Sequence, residues 1–538
     1  MQRTLFSATA LREILSVAIG LGAREVAGWS DAEQQITADL PEAGPSTVGA
    51  ALAEIEAGGD PLGSELCRIR TPEERRPHGA TYTPPAIVES MLGWAADHCT
   101  PARVVDPGAG SGRFLVAAGR AFPRASLVAV EIDPAAAVLC RGHLAAAGLA
   151  GRCEVKVADY RAVELGALPE GQSTLFIGNP PYVRHHLIEP AWKEWLATEG
   201  RAIGLRPSRL AGLHVHFFLA TALKARVGDF ACFVTSAEWL DVNYGRMVRE
   251  LFLNGLGGSR LVIVDPAAKP FADADTTAAI VCMQVGAEPS TILVGRAADC
   301  SELGCLQGGR AVARKRLRQE TRWSRLTSPR RKVRDGYVQL GELFRVHRGQ
   351  VTGANAVWIA GEHSRRLPAS LLHPTVTRAS ELYGAAPELR TVEGLRKVID
   401  LPPDLDSLDD DDREAVEAFL IWAKARGAHE GYVARHRKPW WSVGLRRPAP
   451  IIASYMARRP PAFVRNTAGA RHLNIAHGLY PRVPLSDRAV RKLVAFLAAN
   501  VKLSDGRMYA GGLTKFEPRE MERLPVPGPE MLRASGED

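Results

Sequence analysis

The sequence predicts an α/β protein: an open, doubly wound sheet of about seven strands, with a helical N-terminal cap before it and a mixed α+β domain after it. Three observations predict this. Apolar runs at residues 102–105, 126–130, 153–157 and 173–177 alternate with segments that read as helices, which is the pattern of a parallel sheet with crossover helices. Each run ends in an acidic, amide or glycine-rich turn, and open α/β sheets bind ligands at the carboxyl ends of their strands. At 538 residues the chain exceeds one core, since domains hold about 100 to 200 residues. The expected division is a helical cap over 1–70, an α/β domain over 71–300, a basic linker over 301–338 and a mixed α+β domain over 339–538.

Composition narrows the function classes. With 46% hydrophobic residues and a mean hydropathy of −0.09, and with no run near the roughly 18 apolar residues that span a bilayer, a membrane role is not expected. The N-terminus lacks the order of a secretory signal, so the expected location is the cytoplasm. The eight cysteines are scattered without a CxxC, which indicates neither a disulfide framework nor a metal site. A net charge of +9 and a pI near 9.2 favour a polyanionic partner.

The elements follow in order. Leu11, Ile14, Leu15, Ile19 and Leu21 lie at mixed helical spacing before a break near Pro41 and Pro45, and nothing there reads as chemical. Thr83-Pro84-Pro85 starts a helix with Ile87, Val88, Met91 and Leu92 on one face. The first strand then leads into Asp106-Pro107-Gly108-Ala109-Gly110-Ser111-Gly112. Gly108, Gly110 and Gly112 let backbone approach a ligand closely. Asp106 would repel a pyrophosphate but attract an ammonium group, so the loop reads as a site for a methionine-type cofactor, S-adenosylmethionine, rather than a dinucleotide. Glu131 ends the second strand, placed to accept hydrogen bonds from a ribose diol; Ile132 joins the cofactor set, and Asp133 reads as a helix cap. Asp159 and Tyr160 end the third strand, suited to an adenine amino group and its ring.

The fourth strand ends in Asn179-Pro180-Pro181-Tyr182. Two prolines fix φ and exclude both helix and ladder, leaving a rigid loop that holds an amide, a free carbonyl and an aromatic ring. The amide oxygen and the Pro180 carbonyl can accept hydrogen bonds from an exocyclic NH2 while Tyr182 stacks on the ring carrying it. Further on, a strand pair near residues 260–264 and 276–285 completes the sheet. Between Arg310 and Arg334 basic residues far outnumber the single acid, Glu320. That suits a phosphate-lined cleft over a solvated linker. The last third carries Arg435, Arg437, Trp440, Trp441, Arg458, Arg459, Arg465 and Asn466 for phosphates and base edges, and an acidic run, 404–414, expected to lie away from nucleic acid.

In motif order, TYTPP, DPGAGSG, VEIDP, ADY and NPPY, the chain resembles the gamma-class, TaqI-like DNA amino-methyltransferases from about Ser64 onward. The resemblance implies a class I methyltransferase sheet, S-adenosylmethionine as cofactor, double-stranded DNA as partner, and transfer to adenine N6 by base flipping, in a monomer beside a separate restriction endonuclease. It also implies that Tyr82 and Thr83 contact the methionine part of the cofactor. Phe271 would close on the flipped base opposite Tyr182, so that Asn179, Pro180, Pro181, Tyr182 and Phe271 form the catalytic set. Cytosine N4 offers the same kind of amino group and stays open, as does a protein-glutamine amide, against which the Arg/Trp-rich last third speaks. Methylation at cytosine C5 needs a cysteine nucleophile, usually in Pro-Cys, and no cysteine follows a proline. A DNA-binding module without catalysis is the remaining reading.

Overall fold

In the computed structural model, residues 2–70, 74, 83–265, 277–304, 306–327, 335–509 and 513–533 are described. The chain divides near residue 329 into two compact units. The first is built on a nine-stranded sheet in the order β3-β2-β1-β4-β5-β7-β6-β8-β9. Its strands are β1 (Arg103–Asp106), β2 (Ser126–Glu131), β3 (Cys153–Val157), β4 (Thr174–Gly178), β5 (Phe230–Ser236), β6 (Gly258–Val264), β7 (Ala278–Gln284), β8 (Thr291–Ala297) and β9 (Arg310–Ala313). β1 to β5 are parallel, β7 runs antiparallel between β5 and β6, and β9 is antiparallel to β8. β4 is buried throughout, as a central parallel strand requires. The chain winds outward from β1 to β3 and returns to β4 on the other side of β1, so a crevice opens at the carboxyl ends of β1 and β4.

Two strands more than the expected seven extend the edge beyond β6. β9 lies in the stretch expected to be a linker and β8 just before it. Helices α1 (Gln2–Gly20), α2 (Asp31–Thr37), α3 (Pro45–Glu56) and α4 (Pro61–Ile69) precede the sheet. α5 (Pro85–His98) leads into β1, and between the strands run α6 (Arg113–Ala121), α7 (Pro134–Ala146), α8 (Pro190–Ala202) and α9 (Leu213–Lys224). Pro85 and Pro134 stand in the first turns of α5 and α7, where the missing N–H is not needed.

The expected N-terminal cap is part of the first unit. Ile14, Leu15, Ala18, Ile55, Leu62 and Leu66 share one core with Ala135, Val138 and Leu139 of α7. Gly142 allows the close approach, because a Cβ there would lie 2.8 Å from Ala18. A fully buried ion pair, Arg141 to Glu33 at 2.5 Å, fastens it, and the same guanidinium donates to the carbonyls of Val26, Ala27, Gly28 and Val155. Ala27 also bridges to Glu154 of β3, covering the edge of the sheet.

The expected linker over 301–338 is corrected too. β9 and the helix α10 (Arg314–Gln319) belong to the first unit. Arg314 is buried against the Leu253 carbonyl, and Trp323 packs edge-on to Trp239 and Phe252 at 6.0 and 5.6 Å. Arg310 donates to the Leu326 carbonyl at 2.6 Å. These side chains hold the unit together. Arg330, Arg331, Lys332 and Arg334 lie outside the described residues.

The second unit is mixed α+β. It has a five-stranded sheet and smaller sheets of two and three strands, with cores such as the one around Phe344, Ile451, Leu479 and Leu493. The acidic run begins a helix, Asp410–Ala425. Asp409 caps it by accepting from Asp412 N at 2.8 Å, and Asp410, Asp411 and Asp412 in its first turn complement the positive end of the helix dipole. Among the described residues no helix is long and apolar enough to cross a membrane, and no group of three or more His, Cys, Asp or Glu could hold a metal ion.

Candidate active site

A cavity of about 360 Å³ opens at the carboxyl ends of the central strands. The loop after β1, Glu131 and Ile132, Asp159 and Tyr160, and Asn179 and Pro181 all line it. Four strand ends predicted from sequence therefore meet at one place.

Asp106, at the end of β1, is buried beneath the loop. Its Oδ1 accepts from Gly108 N at 3.3 Å, while Oδ2 has no hydrogen-bond partner among the described residues. Burial pushes its pKa up to about 8, against the Gly108 bond and with some help from Glu131. A buried carboxylate without a cation is costly, so this orphaned oxygen suits the ammonium of a methionine-type cofactor. Gly178 makes room for Asp106, since a Cβ there would collide with Oδ1. Gly110 has φ +53° and its N–H donates to Glu131 Oε2 at 2.8 Å. Gly112 has φ +85°, and a Cβ would stand 2.8 Å from Cys140 Sγ.

Glu131 Oε1 accepts from Ile132 N and Asp133 N at 2.9 and 3.0 Å. Burial pushes its pKa up against these bonds. Ile132 is 53% exposed on the cavity wall, available to the face of a ring. Asp133 is the N-cap of α7, accepting from Ala135 N at 3.0 Å and paired with Arg70. Asp159, expected to face an adenine amino group, spends both oxygens on Arg161, at 2.9 and 2.6 Å. The Arg161 guanidinium lies 3.7 Å over the Trp192 ring. Tyr160 is fully buried, its hydroxyl 3.0 Å from Thr221 and its ring against Phe217, so it is a fixed wall and not a loose lid.

Asn179 is held at both ends. Nδ2 donates to Thr83 Oγ1 at 3.0 Å, and Oδ1 accepts from the Tyr182 hydroxyl at 2.6 Å. Burial keeps the Tyr182 pKa well above its ordinary value, so the phenol remains a donor. Its ring is partly buried, packed on the core of the sheet. Pro180 is buried, and Pro181 lies over Gly108, whose Cβ would meet Pro181 Cδ at 3.5 Å. Tyr82 and Phe271 lie outside the described residues.

Sequence reasoning missed several lining residues. Gly63, Leu66 and Arg70 of the N-terminal helices, Arg113, Arg161, Trp192 and Phe217 all border the cavity. Of these, only α4 carried a readable signal, the Asp60-Pro61 start of a helix, and it did not point to a ligand. In the second unit, several proposed base readers have partners within the fold. Asn466 donates to the Ala449 and Ala470 carbonyls at 2.9 and 2.8 Å and accepts from Ala470 N. Arg465 pairs with Glu388 and Asp487, Arg437 donates to the Val351 and Thr352 carbonyls, and Arg459 lies 3.4 Å over Tyr383.

The sheet order, with its reversed strand between β5 and β6, and the acids ending β1 and β2 define a class I methyltransferase. Residues 327–537 match the family model "Type II methyltransferase M.Eco57I, C-terminal domain". The chain is 51% identical to the type II methyltransferase M.XamI of Xanthomonas campestris pv. amaranthicola, over 88% of each chain. It is 20% identical to M.AccI of Acinetobacter calcoaceticus, over 84% of this chain and 85% of that one. Among solved structures, the type IIL restriction-modification enzyme MmeI in complex with DNA aligns with a TM-score of 0.51 at 12% identity, covering 85% of this chain and 70% of that one. The chain belongs to the type II methyltransferases. Its methyl donor is S-adenosyl-L-methionine.

Proposed function

We propose that this protein methylates adenine N6 in double-stranded DNA, as a monomer and as the modification component beside a separately encoded restriction endonuclease. The Asn179 amide carries the reading. It ends the central strand on the wall of the cofactor cavity, with its oxygen and nitrogen sides distinguished by Tyr182 and Thr83.

When bound, the cofactor supplies a methyl group on a positively charged sulfur. Asp106 receives its ammonium, Glu131 its ribose diol, and Ile132, Asp159 and Tyr160 surround its adenine. Asn179 Oδ1, through its second lone pair, and the Pro180 carbonyl accept hydrogen bonds from the target amino group. Those bonds draw the nitrogen lone pair out of conjugation and turn it toward the methyl group. A stacked base cannot reach this pocket, so it is extruded and held between aromatic side chains, assigned as Tyr182 and Phe271. Direct transfer needs no thiolate, and burial pushes the thiols of Cys99 and Cys153 up to about 12.

Long-read modification sequencing of DNA from cells expressing the protein tests the proposal. N6-methyladenine in one short sequence is expected. Because these hydrogen bonds act mainly in the transition state, Asn179→Ala should lower turnover by about a hundredfold or more with little loss of DNA binding. N4-methylcytosine would replace adenine with cytosine as substrate, and unmodified DNA would move the search to protein glutamine.

A further inference from the structure

Asp60 caps α4, its Oδ1 accepting from Gly63 N at 2.8 Å. Its Oδ2 accepts from Ser111 Oγ at 2.5 Å and from Arg113 at 2.8 Å. The other terminal nitrogen of Arg113 donates to the Thr83 carbonyl at 3.1 Å, and Thr83 Oγ1 accepts from Asn179 Nδ2. Asp60 and Thr83 are buried, and the Arg113 side chain is 15% exposed. A continuous polar route thus joins the N-terminal helices to the amide that meets the target base.

A carboxamide is nearly symmetric in shape, so only its partners decide which side presents oxygen. Turned over, Asn179 would aim N–H groups at the N–H groups of the substrate. Tyr182 favours the productive orientation by donating to the oxygen. Thr83 favours it only while its hydroxyl oxygen faces Nδ2, and that depends on where the Thr83 backbone stands. Arg113 holds that backbone, and Asp60 holds Arg113. Burial opposes the Asp60 charge, but His143, Arg113 and the Ser111 hydroxyl keep its pKa below the ordinary value.

We infer that Asp60 and Arg113 are positioning residues for methyl transfer, acting through Thr83 to keep the Asn179 oxygen turned toward the target amino group. The inference rests on the reading of Asn179 given above. Because Asp60 also ties down Ser111 in the glycine loop, some loss of cofactor affinity would follow from a structural role alone. The discriminating quantity is therefore coupling in kcat.

Asp60→Asn, Thr83→Val and the double variant are compared by kcat and by KM for the cofactor, on whichever substrate the wild type methylates. Each single change is expected to lower kcat by about tenfold or more, the scale of losing an orienting outer partner. The double variant should fall no further than the worse single one, within about twofold. Factors that multiply in the double variant, or an Asp60→Asn effect confined to KM, would overturn the inference. If Asp60→Asn does not fold, Arg113→Gln replaces it under the same criterion. A wild type that methylates cytosine N4 or a protein amide would refute the adenine reading, while the cycle, run on that substrate, still decides the route through Asp60.

Discussion

Cofactor binding should expel a proton from Asp106. With its pKa pushed to about 8, the free carboxyl is about nine-tenths protonated at pH 7, and pairing with an ammonium requires it ionised. Below pH 8 the ionised fraction rises about tenfold per pH unit, so affinity should tighten by about the same factor between pH 6 and 7, about 1.4 kcal/mol. Titration calorimetry in phosphate and in Tris at pH 7, buffers with very different ionisation enthalpies, counts the protons released. The expected count is close to one. Asp106→Asn should abolish both the buffer dependence and the slope with pH, at a cost in affinity. A wild-type enthalpy that is the same in both buffers, with a flat affinity from pH 6 to 7, would refute the pairing of Asp106 with the ammonium.

The buried pair between Glu33 and Arg141 sets a second expectation. Glu33→Ala leaves a charge at 0% exposure without its carboxylate, and chemical denaturation of the first unit should show a loss of roughly 3 to 5 kcal/mol; a change under 1 kcal/mol would mean the helices before the sheet are not integral to it. Acid should weaken both units. Burial holds His214, His472 and His477 down to about 4 and His216, with Arg161 nearby, down to about 3. The unfolded chain takes up protons near 6.5 while the folded one stays neutral. Stability is therefore full above that value and falls as pH drops toward 4, by roughly 2 kcal/mol per histidine at pH 5. Calorimetric midpoints that do not move between pH 7.5 and 5 would contradict this.

What could be read from sequence was local. A strand end declares itself when an apolar run stops at an acid or an amide, and Asp106, Glu131, Asp159 and Asn179 did so; all but the buried Asp106 line the cavity itself. Partnerships across the fold left no such trace. Asp60 and Arg113 are 53 positions apart, Glu33 and Arg141 108. Asp159 looked like a free acceptor because nothing in ADY reveals that Arg161 folds back onto it. Asn466 looked like a base reader because polar residues that close a turn and those that face a ligand are spelled alike. Arg310 and Arg314 show the same limit, since a guanidinium that gathers carbonyls contributes the same letter as one that meets a phosphate.

The packing of Trp323 between Trp239 and Phe252 has a bearing on how the second unit could be exchanged between relatives. A chimera joined near residue 300 would strip β9 from β8 and empty the socket of that indole, damaging the first unit in the act of replacing the second. A junction beyond Pro329 keeps the first unit's sheet and the Trp323 packing, and it falls close to residue 327, where the match to the C-terminal family model begins. Recombination in nature faces the same constraint. The seam along which the second unit can be exchanged is set by a tryptophan in the first.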